Sequence, residues 1–98
     1  MVKHVILWKI KDGLDKAAVA QGVKEGLEGL VGTVPGLLRA QVIIGAMPSC
    51  TADVMLDSDF ESVQALKAYK THPAHVAVAD GRVRPYMEVR LCMDYEEG

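Results

Sequence analysis

Hydrophobic and polar residues alternate in four stretches of the chain, and turn-forming residues bound each stretch. Alternation with a period of two is typical of β-strands, because successive side chains point to opposite faces of a sheet. In the segments after the first and third stretches, apolar residues recur every three or four positions, which predicts helices. The predicted strands cover residues 3–10, 37–45, 51–57 and 87–95.

The first predicted helix covers residues 15–32 and contains an unusual number of glycines. Its apolar stripe consists of Val19, Val23, Leu27, Leu30 and Val34. Gly22, Gly26 and Gly29 each cost up to about 1 kcal/mol relative to alanine inside a helix. We therefore expect tertiary packing to hold this helix, through a close approach to the sheet.

Two further helices are predicted before the last strand. Ser58, with Glu61 three residues later, is typical of a capping box and predicts the start of the second helix. Its apolar side consists of Val63, Leu66 and Tyr69. Pro73 fits the first turn of a third, short helix. The order β-α-β-β-α(α)-β predicts an α+β, ferredoxin-like βαββαβ fold with an antiparallel sheet, and 98 residues predict a single domain over residues 1–98.

The two faces of the predicted sheet differ in polarity. The first face is apolar, so we expect both helices to cover it; it carries Val5, Leu7, Leu38, Ala40, Val42, Ile44, Val54, Leu56, Val89, Leu91 and Met93. The second face is mixed; it carries His4, Ile6, Trp8, Ile10, Arg39, Gln41, Ile43, Asp53, Met55, Asp57, Glu88, Arg90, Cys92 and Asp94. Its apolar members would form a patch larger than monomers usually expose. We therefore expect a homodimer through this sheet face, with Trp8 at the interface and a space between the two sheets that serves function.

Charge and composition exclude several classes of partner. The formal net charge is −2 and the 11 lysines and arginines are scattered, so neither nucleic-acid binding nor a polybasic membrane patch is predicted. No apolar run approaches the roughly 20 residues that span a bilayer, and the first residues are not typical of a signal peptide. Cys50 and Cys92 lack the spacing of a zinc knuckle or a redox pair. Free thiols fit a reducing compartment, so we expect a cytoplasmic protein.

The densest group of chemically active residues lies at the second helix. Tyr69, His72 and His75 recur at every third position and would share one helix face if the helix continued through Pro73. A phenol and imidazoles can perform general acid–base catalysis without a cofactor, and His4 is a fourth candidate. In the alternative interpretation, His72 caps or braces a helix junction and Tyr69 packs in the core.

No metal or phosphate motif is found. His72 and His75 lack the glutamate of a zinc-protease helix, and no third ligand follows from the spacing. Asp53, Asp57 and Asp59 suggest either a cation site or solvated edge charge, and we favour the second interpretation. We predict no metal and no cofactor.

Four segments of the chain carry a family resemblance: residues 1–10 (MVKHVILWKI), 30–37 (LVGTVPGL), 59–62 (DFES) and 68–76 (AYKTHPAHV). Together they resemble the stress-responsive A/B barrel domain (Dabb) family over residues 2–95. The resemblance implies a ferredoxin-like subunit whose sheet packs against that of a second copy, as a dimeric α+β barrel. This agrees with the homodimer expected from the polarity of the two sheet faces.

The chain also resembles a plant polyketide cyclase of this family. That resemblance implies a catalytic pair of His75 and Tyr69, in which His75 removes an acidic α-proton from a polyketone and Tyr69 holds the chain during ring closure. It also implies histidines near the pocket at His4 and His72. Val54 departs from the pattern, because the plant enzyme carries a further histidine there. The expected substrate-binding residues are His4, His72, Trp8 and Ile6.

Three functions are compatible with these observations. The first, which the sequence favours, is a dimeric barrel protein of unassigned role that binds a small hydrophobic or polar organic molecule in its cavity. The second is a cofactor-free enzyme of cyclase, isomerase or lyase type that uses the His–Tyr pair. The third is a stress-protective structural assembly. An open cavity with His75 and Tyr69 converging on it would favour the enzyme, whereas a filled barrel would favour the assembly.

Overall fold

The computed structural model describes residues 1–98, and its element order agrees with the prediction. The four strands form one antiparallel sheet in the order β2-β3-β1-β4, with three α-helices on one side, which is a ferredoxin-like α+β fold. A π-helical turn, Ala79–Val83, and a 3₁₀ turn, Arg84–Tyr86, connect α3 to β4. The elements are β1 (Val2–Ile10), α1 (Lys16–Glu28), β2 (Leu37–Ile43), β3 (Val54–Phe60), α2 (Val63–Thr71), α3 (Pro73–Val78) and β4 (Met87–Glu96).

Helix α1 begins and ends at residues with clear local roles. The Asp15 carboxylate accepts a hydrogen bond from the Ala18 amide and caps the first turn. The helix ends at Glu28, before Gly29, rather than at residue 32. Leu30 and Val34 of the predicted stripe are buried in the turns that follow, where they still contribute to the core.

The second helix begins four residues later than the capping box predicted. Ser58 lies inside β3, where its hydroxyl donates to the His4 carbonyl oxygen over 2.7 Å. The cap is Ser62, whose side chain accepts from the Ala65 amide. Strand pairing explains the error: Phe60 is fully buried and pairs with Val2, so burial extends the strand past the local helix signal.

The glycines of α1 do not approach the sheet as expected. A Cβ atom on Gly26 would lie 2.7 Å from the Val78 Cγ1 atom and 2.9 Å from the Arg82 Cδ atom. Gly26 therefore allows α1 to pack closely against α3 and the π-helical turn. A Cβ atom on Gly22 would meet nothing within 4 Å.

The predicted faces of β1 and β4 are wrong. The helices cover the face that carries His4, Ile6 and Trp8, and Trp8 is only 4% exposed. The uncovered side, which we call the open face, instead carries Val5, Leu7, Leu91 and Met93. Both sides of β1 are apolar, so alternation alone could not identify the buried one. Trp8 therefore belongs to the core and not to an interface between sheets.

The open face has an apolar part and a charged corner. The strand register places Leu91, Leu7, Met55 and Ile43 in one apolar row across all four strands. In the corner, the Lys3 Nζ atom lies 2.5 Å from a carboxylate oxygen of Asp59, and an Arg39 guanidinium nitrogen lies 2.8 Å from one of Asp57. Asp57 and Asp59 are thus ion-paired side chains of the sheet.

None of the helices has both the length and the apolar composition needed to cross a membrane.

Candidate functional site

A cavity of about 360 Å³ lies between the sheet and the helices, at the side of β1 and β4. Its apolar lining consists of Ile6, Trp8, Leu27, Leu56, Ala79, Val83, Met87 and Val89. Its polar and titratable lining consists of His4, Tyr69, Lys70, His75, Arg84, Glu88 and Arg90. A mostly apolar wall with a few polar groups is typical of small-molecule sites. The cavity is on the helix side of the sheet, and the prediction of a space between two sheets is therefore wrong for this cavity.

A break between α2 and α3 shapes one wall of this cavity. His72 is extended (φ −62°, ψ 131°), as expected for a residue before proline, and its Nδ1 atom accepts from the Ala74 amide over 3.1 Å. Pro73 then occupies the first turn of α3. His72 therefore caps a helix junction, and it is not part of the cavity lining. The helix does not continue through Pro73.

The break nevertheless brings Tyr69 and His75 together. Their ring centroids are 4.0 Å apart with an angle of 33° between the rings, and both side chains line the cavity. Tyr69 also packs edge-to-face on Phe60 and on His4, at centroid distances of 4.9 Å and 6.1 Å. Two helices and two strands thus fix the orientation of the phenol ring.

Burial sets the protonation state of Tyr69. The side chain is 3% exposed, and desolvation of the phenolate raises the pKa of Tyr69 to about 12. The positive charge of Arg90 acts in the opposite direction but is the weaker influence. The hydroxyl therefore keeps its proton at neutral pH and can donate a hydrogen bond to a ligand oxygen.

His75 is half-buried and has one ring nitrogen engaged by the backbone. Its Nδ1 atom lies 3.3 Å from the Lys70 carbonyl oxygen, which can only accept, so we assign the proton to Nδ1. The Nε2 atom is then unprotonated. Burial lowers the pKa of His75 below its ordinary value, although the Lys70 carbonyl opposes this. The ring is therefore neutral and able to accept a proton at neutral pH.

His4 forms a second imidazole site with a carboxylate partner. The two residues are opposite each other in the β1–β4 register, and His4 Nδ1 hydrogen-bonds to a carboxylate oxygen of Asp94. Burial lowers the pKa of His4, and the Asp94 carboxylate opposes that shift. The Lys70 Nζ atom lies 3.8 Å from the other Asp94 oxygen. Strand alternation in the sequence predicted His4 and Asp94 on one sheet face but not their pairing.

His4, Cys92 and Asp94 are also the one group of three potential metal-ligating residues in the structure. One donor atom from each lies within 4.8 Å of the other two. Their contacts are accounted for by hydrogen bonds, because His4 and Cys92 both approach the same Asp94 oxygen. Asp53 accepts from the Ile10 amide over 2.8 Å and is not part of a carboxylate cluster with Asp57 and Asp59.

The cationic part of the lining was missed at the sequence level. Lys70, Arg84 and Arg90 come from α2, the 3₁₀ turn and β4, and their shared position depends on how these elements pack. Lys70 had a local signal, because it follows Tyr69 in the segment with the histidines, and Arg90 was predicted on the same sheet face as His4 and Trp8. The predicted residues that line the cavity are His4, Ile6, Trp8, Tyr69 and His75.

Comparison with known proteins identifies the family. The family described as "Stress responsive A/B Barrel Domain" (Dabb) matches residues 2–97. A dimeric protein of unknown function with a ferredoxin-like fold from Bacteroides fragilis is 32% identical, with 98% of this chain and 95% of that chain covered and a TM-score of 0.90. At3g17210 from Arabidopsis thaliana is 26% identical, with 100% and 96% covered and a TM-score of 0.84.

A more distant solved structure shares the fold. The hydroxynitrile lyase from Passiflora edulis is 17% identical, with 96% of this chain and 90% of that chain covered and a TM-score of 0.79. A search of the curated proteins finds no match. The family match over nearly the whole chain and the relative from Bacteroides fragilis lead to one conclusion. The chain belongs to the stress-responsive A/B barrel domain (Dabb) family.

Proposed function

We propose that this protein binds a small organic carbonyl compound in the cavity and catalyses proton transfer at the carbon next to the carbonyl group, without a cofactor. The observation that carries the proposal is the pairing of a neutral imidazole, His75, with a protonated phenol, Tyr69, on the wall of an open cavity. The cavity also argues for a ligand-binding role rather than a stress-protective assembly, because a filled barrel was expected for the latter. The alternative is that the protein binds a small organic molecule in this cavity without catalysing a reaction.

In the proposed reaction, His75 is the base and Tyr69 holds the oxygen. The Nε2 atom of His75 takes a proton from the α-carbon. The electron pair of that C–H bond forms a double bond to the carbonyl carbon, and the π electron pair of the carbonyl group moves to its oxygen to give an enolate. The Tyr69 hydroxyl stabilises the developing negative charge by a hydrogen bond. The enolate is then reprotonated in an isomerisation, or attacks a second carbonyl carbon in a ring closure.

The other lining residues have supporting roles in this proposal. Ile6 and Trp8 pack against the apolar part of the ligand, because both are on the cavity wall. His4 supports the Tyr69 ring through an edge-to-face contact and is itself held by Asp94. His72 acts indirectly, as the cap that orients α3 and therefore His75.

The test is exchange of the acidic methylene hydrogens of acetoacetanilide, an uncharged dicarbonyl compound, followed by NMR in deuterated buffer. We expect the wild-type protein to accelerate the exchange and His75→Gln to reduce this acceleration by about 100-fold or more, since general base catalysis commonly supplies that factor. Tyr69→Phe should reduce it at least about tenfold, because one hydrogen bond to the oxyanion is lost.

The matched control is Lys67→Gln, an exposed residue of α2 outside the cavity lining. It should exchange the probe at the wild-type rate. Circular dichroism of each variant checks that the fold is retained. Full exchange activity in a folded His75→Gln variant would contradict the proposal.

We also propose that the protein is a cytoplasmic homodimer that associates through the open face. The apolar row of Leu91, Leu7, Met55 and Ile43 supports this, because a monomer would expose it to water. The relative from Bacteroides fragilis is described as dimeric. Cys50 and Cys92 are free and exposed, which fits a reducing compartment.

A further inference from the structure

We infer that the ligand of the cavity carries a carboxylate group and that Arg90 binds it. This inference rests on the proposed function, because it concerns the same cavity, and it restricts the substrate class to small oxo acids. A guanidinium group donates two parallel hydrogen bonds to a carboxylate, which makes arginine well suited to such a ligand.

Arg90 is the cation of the lining that lacks an acidic partner within the chain. The Lys70 Nζ atom lies 3.8 Å from an Asp94 oxygen, and the Arg84 guanidinium lies 2.6 Å from an Asp80 oxygen. The one acidic residue of the lining, Glu88, has a carboxylate oxygen 3.8 Å from the Lys9 Nζ atom and forms no ion pair with Arg90. No ion pair or side-chain hydrogen bond occupies Arg90. Its donors are available to a bound anion.

The position of Arg90 suits the entrance of the cavity. It lies on β4 directly opposite Trp8 in the β1–β4 register, so both residues belong to the helix side of the sheet. Strand β4 is an edge strand, and its residues after Met87 are all exposed, because the helices cover the other three strands. The cavity therefore opens to solvent along β4, at the position of Arg90.

The positive charge of Arg90 acts on the titratable side chains of the cavity. Arg90 lines the same cavity as His4, Tyr69 and His75. Its positive charge adds to the effect of burial, which lowers the pKa of both histidines, and opposes the rise that burial causes in the pKa of Tyr69. A ligand carboxylate at Arg90 would thus sit at the cavity entrance while its carbonyl group meets Tyr69. Trp8 lies opposite Arg90 in the strand register and lines the cavity, so it can contact the apolar segment that joins the two groups.

The test compares matched acids and amides. Phenylacetate and hydrocinnamate, with phenylacetamide and hydrocinnamamide as uncharged counterparts, are titrated into the protein by calorimetry at neutral pH and low salt. We expect at least one acid to bind about tenfold more tightly than its amide, as a charge-assisted hydrogen bond predicts. Arg90→Gln should abolish this preference. Arg90→Lys should keep part of it, because lysine retains the positive charge but lacks the two parallel hydrogen-bond donors of the guanidinium group.

The matched control is Arg82→Gln, which removes an exposed arginine that pairs with Glu25 outside the cavity. This variant should keep the wild-type preference. Equal binding of acids and amides, a preference that survives in Arg90→Gln, or no binding of either acid at millimolar concentration would overturn the inference.

The outcome separates this inference from the proposed catalysis. Acetoacetanilide is uncharged, so its exchange by His75 and Tyr69 does not depend on a carboxylate contact. Exchange without acid preference would remove the inference and leave the proposed function. Acid preference without His75-dependent exchange would leave Arg90 as an anion-binding residue and remove the catalysis.

Discussion

Two histidines of this protein are held in environments that favour the neutral ring. His4 is 2% exposed and His75 is half-buried, and in both cases desolvation lowers the pKa below the ordinary value of 6.5. The unfolded chain therefore binds more protons than the folded chain as the pH falls below 6.5. Their contribution to the free energy of unfolding is present above pH 6.5 and is lost as the pH falls towards the lowered pKa values.

The Asp94 carboxylate should limit this loss at His4, because it raises the pKa of that ring against the effect of burial. We predict that Asp94→Asn lowers the pKa of His4 further and makes the loss of stability on acidification larger. The loss amounts to at most about 1.4 kcal/mol per pH unit for this group. Urea denaturation of both proteins at several pH values between about 5 and about 7 measures it.

The pH range matters for this comparison, because the pKa of Asp94 lies below its ordinary value and the carboxylate stays ionised throughout it. Asp12→Asn is the matched control, since neither Asp12 nor its ion-pair partner Lys16 lines the cavity that contains His4. Equal pH dependence in the wild-type and Asp94→Asn proteins would mean that Asp94 does not influence the titration of His4.

The candidate catalytic residues could be predicted from the sequence more easily than their geometry. Tyr69 and His75 do meet at the cavity, but through a helix break rather than along one continuous helix face. The position of His72 before proline was compatible with a residue of the candidate site and with a cap of a helix junction. The extended backbone of His72 supports the cap. The partner Asp94 is 90 residues away in the chain, so only the strand register could connect it to His4.

At the level of elements, order and type follow from periodicity, whereas faces and boundaries follow from packing. The βαββαβ order and the antiparallel sheet were predictable because each element has a distinct hydrophobic period. The buried side of β1 was not, since Val5 and Leu7 are as apolar as Ile6. In the structure the bulkiest side chain of β1, Trp8, lies on the buried side, opposite Val54 in the strand register.

Packing between α1 and α3 gives an element-scale prediction that uses two glycines of one helix. Gly22→Ala should stabilise the fold by up to about 1 kcal/mol, because alanine is the better helix former and nothing obstructs its methyl group. Gly26→Ala should destabilise it by about 1 to 3 kcal/mol, because its methyl group would lie 2.7 Å from Val78. Urea denaturation of both variants gives the two free energies of unfolding.

The comparison is internally controlled, since both substitutions change the same residue type in α1. If Gly26→Ala were as stabilising as Gly22→Ala, the close contact between α1 and α3 would be absent in solution. The contact between α1 and α3 also helps to position the candidate site, because α3 carries His75 and the π-helical turn lines the cavity.

For the whole molecule, the sheet separates two surfaces that differ in shape and polarity. The helix side encloses the cavity with its titratable residues, and the open face carries the apolar row and the ion-paired corner. The corner of Lys3, Arg39, Asp57 and Asp59 is nearly balanced in charge, so it can be covered by a second copy at a smaller electrostatic cost than unpaired charges. The proposed dimer would then leave the cavity entrance along β4 on the other side of the sheet.

The proposed interface can be tested at Leu91, which is 63% exposed on the open face and faces Leu7 in the register. We predict that Leu91→Glu weakens dimerisation by about tenfold or more, because a charge replaces an apolar contact across the twofold interface. Sedimentation velocity over a range of protein concentrations measures the association. Met47→Glu is the matched control: Met47 is 71% exposed in the loop between β2 and β3, outside the strands that form the open face, and its replacement should leave the dimer intact. A wild-type protein that sediments as a monomer at high concentration, or a Leu91→Glu variant that associates like the wild type, would contradict the interface.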